Sequence, residues 1–167
     1  MGDRSESFEA FFGEHYESVF RGLSVAFRDP LLAEEAAQEA FTRAYTRWER
    51  VHAMERPAGW VYVVAIRVAR RRRRDVLGDS TGRPASAERD LAVEVVDRVT
   101  LQAAIERLPD RQRVALVLRY YAGLPLADVA AAMGCALGTV KSTLHAAHTR
   151  LALDLDDDIP EVELDAP

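Results

Sequence analysis

Six side chains near the C-terminal end of this chain are of types that could read nucleic-acid bases: Thr139, Lys141, Ser142, Thr143, His145 and His148. Val140, Leu144, Ala147 and Leu151 recur at helical spacing and predict the opposite, buried wall of the same helix. One packed wall and one wall of short hydrogen-bonding groups with a single cation suit insertion into a major groove. The element that must position this helix lies just before it. Leu126, Val129, Ala130 and Met133 give a short amphipathic helix, and Gly134 follows where a tight turn needs a positive φ. The spacing predicts a helix-turn-helix. An ordinary helical hairpin with a solvated outer face is the alternative reading. The glycine turn and the Gly138–Ser142 run (GTVKS) favour DNA.

A second group is basic. Trp60, Val64, Arg67, Arg71 and Arg74 follow one line of a helix opened by Pro57, and Arg70–Arg74 are consecutive, so they encircle its end. That end is expected to project into solvent or toward a polyanion. With Arg56 and the aromatics Trp48, Trp60 and Tyr62 close by, the pattern suits single-stranded DNA, which needs stacking faces and phosphate neutralisation. A plain basic helix end is the alternative, and no amphipathic helix outside the core supports a membrane surface. A third group, Glu34, Glu35, Gln38, Glu39 and Thr42, lies off the core face of a helix expected over 31–48, near its N-terminus. It is either a solvated face or a docking surface for a basic partner helix.

The elements around these groups are all helical, with no alternating strand pattern. Phe8, Phe11, Phe12, Tyr16, Val19, Phe20, Leu23 and Phe27 form an aromatic stripe expected to pack in a core. Asp29-Pro30 reads as an N-cap followed by proline at the first helical position. The next helix should turn Ala37, Phe41, Ala44, Tyr45 and Trp48 inward. Leu101, Ile105, Leu108, Val114, Val117, Leu118 and Tyr121 are the expected core of the C-terminal half. The fold class is therefore all-α: two small helical domains joined by a flexible linker, the second carrying the helix-turn-helix. The domains are expected at 1–75 and 99–153, with a linker at 76–98 and an acidic, disordered tail at 154–167.

Composition bounds the rest. The net charge of −5 hides two basic modules: Arg56–Asp75 holds seven arginines against one aspartate and 99–153 six bases against three acids, whereas 154–167 holds seven acids and no base. The single cysteine, Cys135, excludes an intrachain disulfide or a cysteine-based zinc site and suits a reducing compartment; a small buried filler is its expected role. The four histidines give no metal-ligand spacing and no catalytic constellation is visible, so neither cofactor, metal nor enzymatic activity is expected. No signal peptide is read at the start and the longest apolar run is too short to span a bilayer, which points to the cytoplasm.

The residues Asp29–Trp48 (DPLLAEEAAQEAFTRAYTRW) resemble region 2.2 of the extracytoplasmic-function sigma factors of the sigma-70 family, actinobacterial in type. Arg56–Arg74 (RPAGWVYVVAIRVARRRRR) is similar to their regions 2.3–2.4, and Leu108–Leu151 to region 4. The resemblance implies a non-enzymatic factor that directs bacterial RNA polymerase core to particular promoters and initiates transcription. A helix-turn-helix regulator that does not itself initiate is the alternative. It further implies that Glu35, Gln38, Glu39 and Thr42 dock on the β′ clamp helices, while the C-terminal domain meets the β flap. Arg56, Trp60, Arg67, Arg70, Arg71 and Arg74 would engage the −10 element, with the His52–Arg56 loop capturing a flipped base. Thr139, Lys141, Ser142, Thr143, His145 and His148 would read the −35 element. The linker would thread the polymerase cleft, and the family leaves room for an anti-sigma factor as a further partner. The chain departs from the pattern where Arg67 and Arg71 replace the usual Asn and Asp, where Thr143, Ala146 and His148 replace arginines, and where Pro125 replaces a capping Ser or Thr.

Overall fold

The computed structural model describes residues 2–79 and 96–157. Helices account for almost all of them: α1 (Gly2–Phe27), α2 (Pro30–Thr46), α3 (Trp48–His52), α4 (Pro57–Asp79), α5 (Val96–Arg107), α6 (Asp110–Leu116), α7 (Leu126–Met133) and α8 (Leu137–Asp157). No strand occurs among the described residues, so the fold is all-α. Asp29 caps α2 as its sequence predicts, its Oδ1 accepting from the Leu32 amide at 3.0 Å, with Pro30 opening the helix. The link before it is tight: Arg28 takes a φ of 55°, unusual for a non-glycine residue.

The N-terminal half is a bundle in which α2 packs between α1 and α4. Small side chains allow the close approach: Ala33, Ala36, Ala37, Ala40 and Ala44 of α2 are fully buried against the Val61, Ala65, Ile66 and Ala69 side of α4. The aromatic stripe closes the far end. Phe8 meets Trp48 edge-on at 5.2 Å, and Phe12 meets Phe41 at 5.0 Å and 74°. Trp48 belongs to a separate helix, because the chain breaks at Arg47. Tyr45, expected inward, is instead 47% exposed. It lies one position past Ala44, which takes the buried slot.

In the C-terminal half, α6 runs into a π-helical turn at Val117–Tyr121, closed by the Ala122 amide donating to the Val117 carbonyl at 3.0 Å. The extra residue per turn rotates the side chains that come after it. Val117 and Leu118 point inward, while Tyr120 and Tyr121 are turned out, so the inward placement expected for Tyr121 is corrected; Leu101 is likewise 43% exposed. Gly134 ends α7 with a φ of 64°, and the Cys135 amide reaches back to the Ala130 carbonyl at 3.1 Å. The half-buried Cys135 begins the turn into α8, whose Val140, Leu144 and Ala147 are buried as expected.

Three boundaries differ from the sequence reading. Helix α4 continues to Asp79 and α5 begins at Val96, so both helices reach into the segment expected as linker; 80–95 lie outside the described residues. Helix α8 runs through Asp157, so Asp154–Asp157 continue a helix and do not begin a disordered tail. The remainder of the acidic segment, 158–167, lies outside the described residues. The two halves are also less separate than a flexible tether suggests. One continuous apolar cluster runs from Val19 through Ala69 to Leu108, Val117 and Ala147, with α1 packed on α6 and on the π-turn.

Candidate polymerase and DNA interfaces

On the α2 face expected to dock, both carboxylates, Glu35 and Glu39, are already paired. Glu35, Gln38 and Thr42 are exposed and Glu39 is half-buried on one side of the helix. Arg72 of α4 reaches across and pairs with both Glu35 and Glu39, the latter at 2.9 Å, and Arg43 also pairs with Glu39. The Arg72 hydrogen bond, seconded by Arg43, holds the Glu39 carboxyl below its usual range despite partial desolvation. Arg72 is raised in turn, chiefly by Glu39. Thr42 Oγ1 donates to the Gln38 carbonyl at 2.8 Å, and Gln38 Nε2 to Glu34 Oε1 at 3.2 Å. The face therefore presents an acidic rim partly neutralised from behind.

The arginines of α4 do not share one environment. Arg67, Arg71 and Arg74 are exposed along the line expected from their spacing, and Arg67 and Arg71 border a polar groove with Glu39, Arg43 and Asp75. Arg73 pairs with Asp110 of α6. Arg70 is half-buried; burial lowers its pKa, and the neighbouring Arg111 guanidinium lowers it further. The expectation that the whole helix end projects outward thus fails at Arg70 and Arg73, because α6 and the turn at Cys135 cover that side. Trp60 is half-buried. Arg56 is exposed, pairs with Glu55 at 3.1 Å, and borders a cleft of about 630 Å³ with Phe11, His15, Trp48, His52 and Gly123.

On α8 the predicted outer face is outward. Lys141, Ser142, His145 and His148 are exposed and Thr139 and Thr143 half-buried. Several hydroxyls are turned back onto the helix: Ser142 Oγ and Thr143 Oγ1 donate to the Thr139 carbonyl at 3.0 and 2.6 Å, and Thr149 Oγ1 to that of His145 at 3.0 Å. With the proton committed inward, each oxygen offers lone pairs outward. His148 Nε2 and the Tyr120 hydroxyl are 2.9 Å apart, a contact the π-turn makes by swinging Tyr120 toward α8.

Residues 11–76 match the model of sigma-70 region 2, and residues 98–151 that of sigma-70 region 4. The chain is 33% identical to the ECF RNA polymerase sigma factor SigL of Mycobacterium tuberculosis, over 89% of this chain and 88% of that protein. The chain belongs to the extracytoplasmic-function sigma factors. The RNA polymerase sigma-E factor of Streptomyces coelicolor is 30% identical over 93% of this chain and 89% of its own length. Among solved structures, the sigma factor RpoE from Bartonella quintana, crystallised with the anti-sigma factor NepR, shares the fold with a TM-score of 0.70 at 22% identity, over 92% of this chain and 99% of that one.

In this sigma factor, sequence reasoning missed three arginines that shape the interfaces: Arg72, Arg73 and Arg113. Arg113 is only 3% exposed. Its Nε donates to the Ala26 carbonyl at 3.2 Å, while its amino groups reach the Glu106 and Leu108 carbonyls and Asp110. Burial lowers its pKa although Asp110 opposes the shift. The one available signal was its place immediately before an unbroken apolar run, Val114–Leu118. No group of three or more His, Cys, Asp or Glu among the described residues could hold a metal ion, and no described helix is long and apolar enough to cross a membrane.

Proposed function

We propose that this sigma factor divides its work among three faces. Glu35, Gln38, Glu39 and Thr42 dock on a basic helical partner, the β′ clamp of RNA polymerase core, with Arg72 setting how much negative charge the face presents. Arg67, Arg71, Arg74 and Arg56, with Trp60 as the neighbouring aromatic, hold the separated strands of the −10 element. Thr139, Lys141, Ser142, Thr143, His145 and His148 read the −35 element. The observation that carries this reading is that Arg67, Arg71 and Arg74 are exposed along one line of α4, in a chain whose α8 also turns its polar residues outward.

The inward-bonded hydroxyls of Ser142 and Thr143 add a preference. As acceptors they match the exocyclic amino groups of cytosine and adenine in the major groove, and thymine and guanine offer no such donor there. Lys141 supplies a phosphate contact. The factor works in the cytoplasm and performs no catalysis of its own. Run-off transcription with purified core polymerase tests the assignment: initiation that disappears when Arg67 and Arg71 are both replaced by Ala supports it. Full initiation by that variant would remove α4 from the −10 role.

A further inference from the structure

We propose that Tyr120, which lies outside the helix-turn-helix, is a positioning residue for His148, and that the two form one neutral clamp on a backbone phosphate of the −35 duplex. The inference deepens the reading just given, since it rests on α8 lying in the major groove there.

The pair joins two elements. Tyr120 stands in the π-helical turn and His148 in the second half of α8, 28 positions later. The phenol oxygen and imidazole Nε2 are 2.9 Å apart, and the rings lie 5.7 Å apart at 55°, tilted and not stacked. Both side chains project: Tyr120 is 58% exposed and His148 is exposed. Their roots are fixed, because Leu118, two residues before Tyr120, and Ala147, next to His148, are fully buried.

Donor and acceptor capacity then decides the chemistry. If the phenol donates to Nε2, the neutral imidazole carries its proton on Nδ1; if Nε2–H donates to the phenol oxygen, the phenol O–H is free. Both arrangements leave one N–H or O–H donor over. On a duplex that donor suits an acceptor: a phosphate oxygen, or N7 or O6 of guanine. Position selects the phosphate. His148 lies seven residues past Lys141, roughly 10 Å along the helix, whereas a recognition helix reads bases with its N-terminal residues. A helix about 10–12 Å across fills a major groove about 12 Å wide. A ring brought alongside it by another element therefore meets the groove wall, which is sugar and phosphate. Tyr120 orders the imidazole before DNA arrives, so less freedom is lost on binding.

The test uses the holoenzyme, assembled from core polymerase and the full chain. Its probe is the promoter duplex that the parent selects from a library randomised at the −35 segment. Tyr120→Phe keeps the ring and removes only the hydroxyl. The urea midpoint should stay at the parent value while binding weakens about three- to tenfold. His148→Ala should weaken binding to a similar degree, and the double variant should be no weaker than either alone. The salt slope should not change, because no cation is lost. Selection repeated with Tyr120→Phe should return the same −35 sequence. In a scan of the backbone, one methylphosphonate substitution should abolish the difference between parent and Tyr120→Phe. Parent affinity in Tyr120→Phe, or additive losses in the double variant, overturns the proposal. A changed base preference overturns the phosphate and gives the pair to a base edge. Binding that scrambling the −35 segment leaves unaffected would overturn the α8 reading itself, and the clamp with it.

Discussion

Arg72 of α4 donates to Glu39 Oε2 of α2 at 2.9 Å and also pairs with Glu35, so the two carboxylates expected to meet polymerase are already shared with a neighbouring helix. A pair this exposed contributes at most about 1 kcal/mol to stability. Its larger effect is on the field the face presents. Exchanging the partners, Glu39→Arg with Arg72→Glu, keeps that ion pair but sets the new charges against Arg43 and Glu35, so the urea midpoint should fall modestly, by on the order of 1 kcal/mol in stability. Affinity for core polymerase should nevertheless fall, because the outward charge is reversed. Unchanged affinity in a stably folded exchange variant would take Glu39 out of the interface.

Arg67 and Arg71 lie side by side along the exposed line of α4 and border the same groove. Replacing both with Ala is expected to impair strand opening more than closed-complex binding, since their phosphates should belong to separated strands. Permanganate reactivity of the melted bubble, compared at equal promoter occupancy, measures this. Equal reactivity in parent and variant would place these guanidiniums off the opened DNA.

Lys141 is exposed and is the only lysine in the chain. Lys141→Ala should cost about 1–2 kcal/mol of −35 binding and reduce the salt slope by about one ion. A slope equal to the parent's would show that the ammonium reaches no phosphate.

Burial pushes the Tyr62 phenol up to about 12, against the hydrogen bond with Ser18. Ionisation is penalised in the folded state, so the stability due to neutral Tyr62 is complete below about pH 10 and is lost as pH rises through about 12. The two-unit difference corresponds to about 2–3 kcal/mol. Absorbance at the phenolate band should show one tyrosine titrating after the others, and Tyr62→Phe should remove that late step and flatten the fall in stability. A titration that ends near pH 10.5 would mean the phenol is open to water.

Most of the architecture is legible in the sequence because it rests on local rules. Asp29-Pro30, Pro57, Gly134 and the apolar spacing of Val140, Leu144 and Ala147 each specify a boundary or a face without reference to the rest of the chain. Tyr121 escapes those rules because the π-turn changes the period just before it, and no residue type announces such a turn. Arg70, Arg72, Arg73 and Arg113 escape for another reason. Five consecutive arginines look alike as a string, and only the packing of α2, α6 and the Cys135 turn around α4 gives each its own environment. The outward face of α8 is readable residue by residue, whereas the direction of each Ser or Thr hydroxyl depends on the carbonyl four or three residues earlier.

The uninterrupted apolar cluster from Val19 to Ala147 also makes the two family regions a single thermodynamic unit. Tyr62 and Val117 close on Gly22 from the two halves, so heat or denaturant that frees one bares the other, and the halves should melt together while they remain in contact. A destabilising change at one end of the molecule is then shared by the other. Robustness and vulnerability are then shared by regions 2 and 4, not held by each separately.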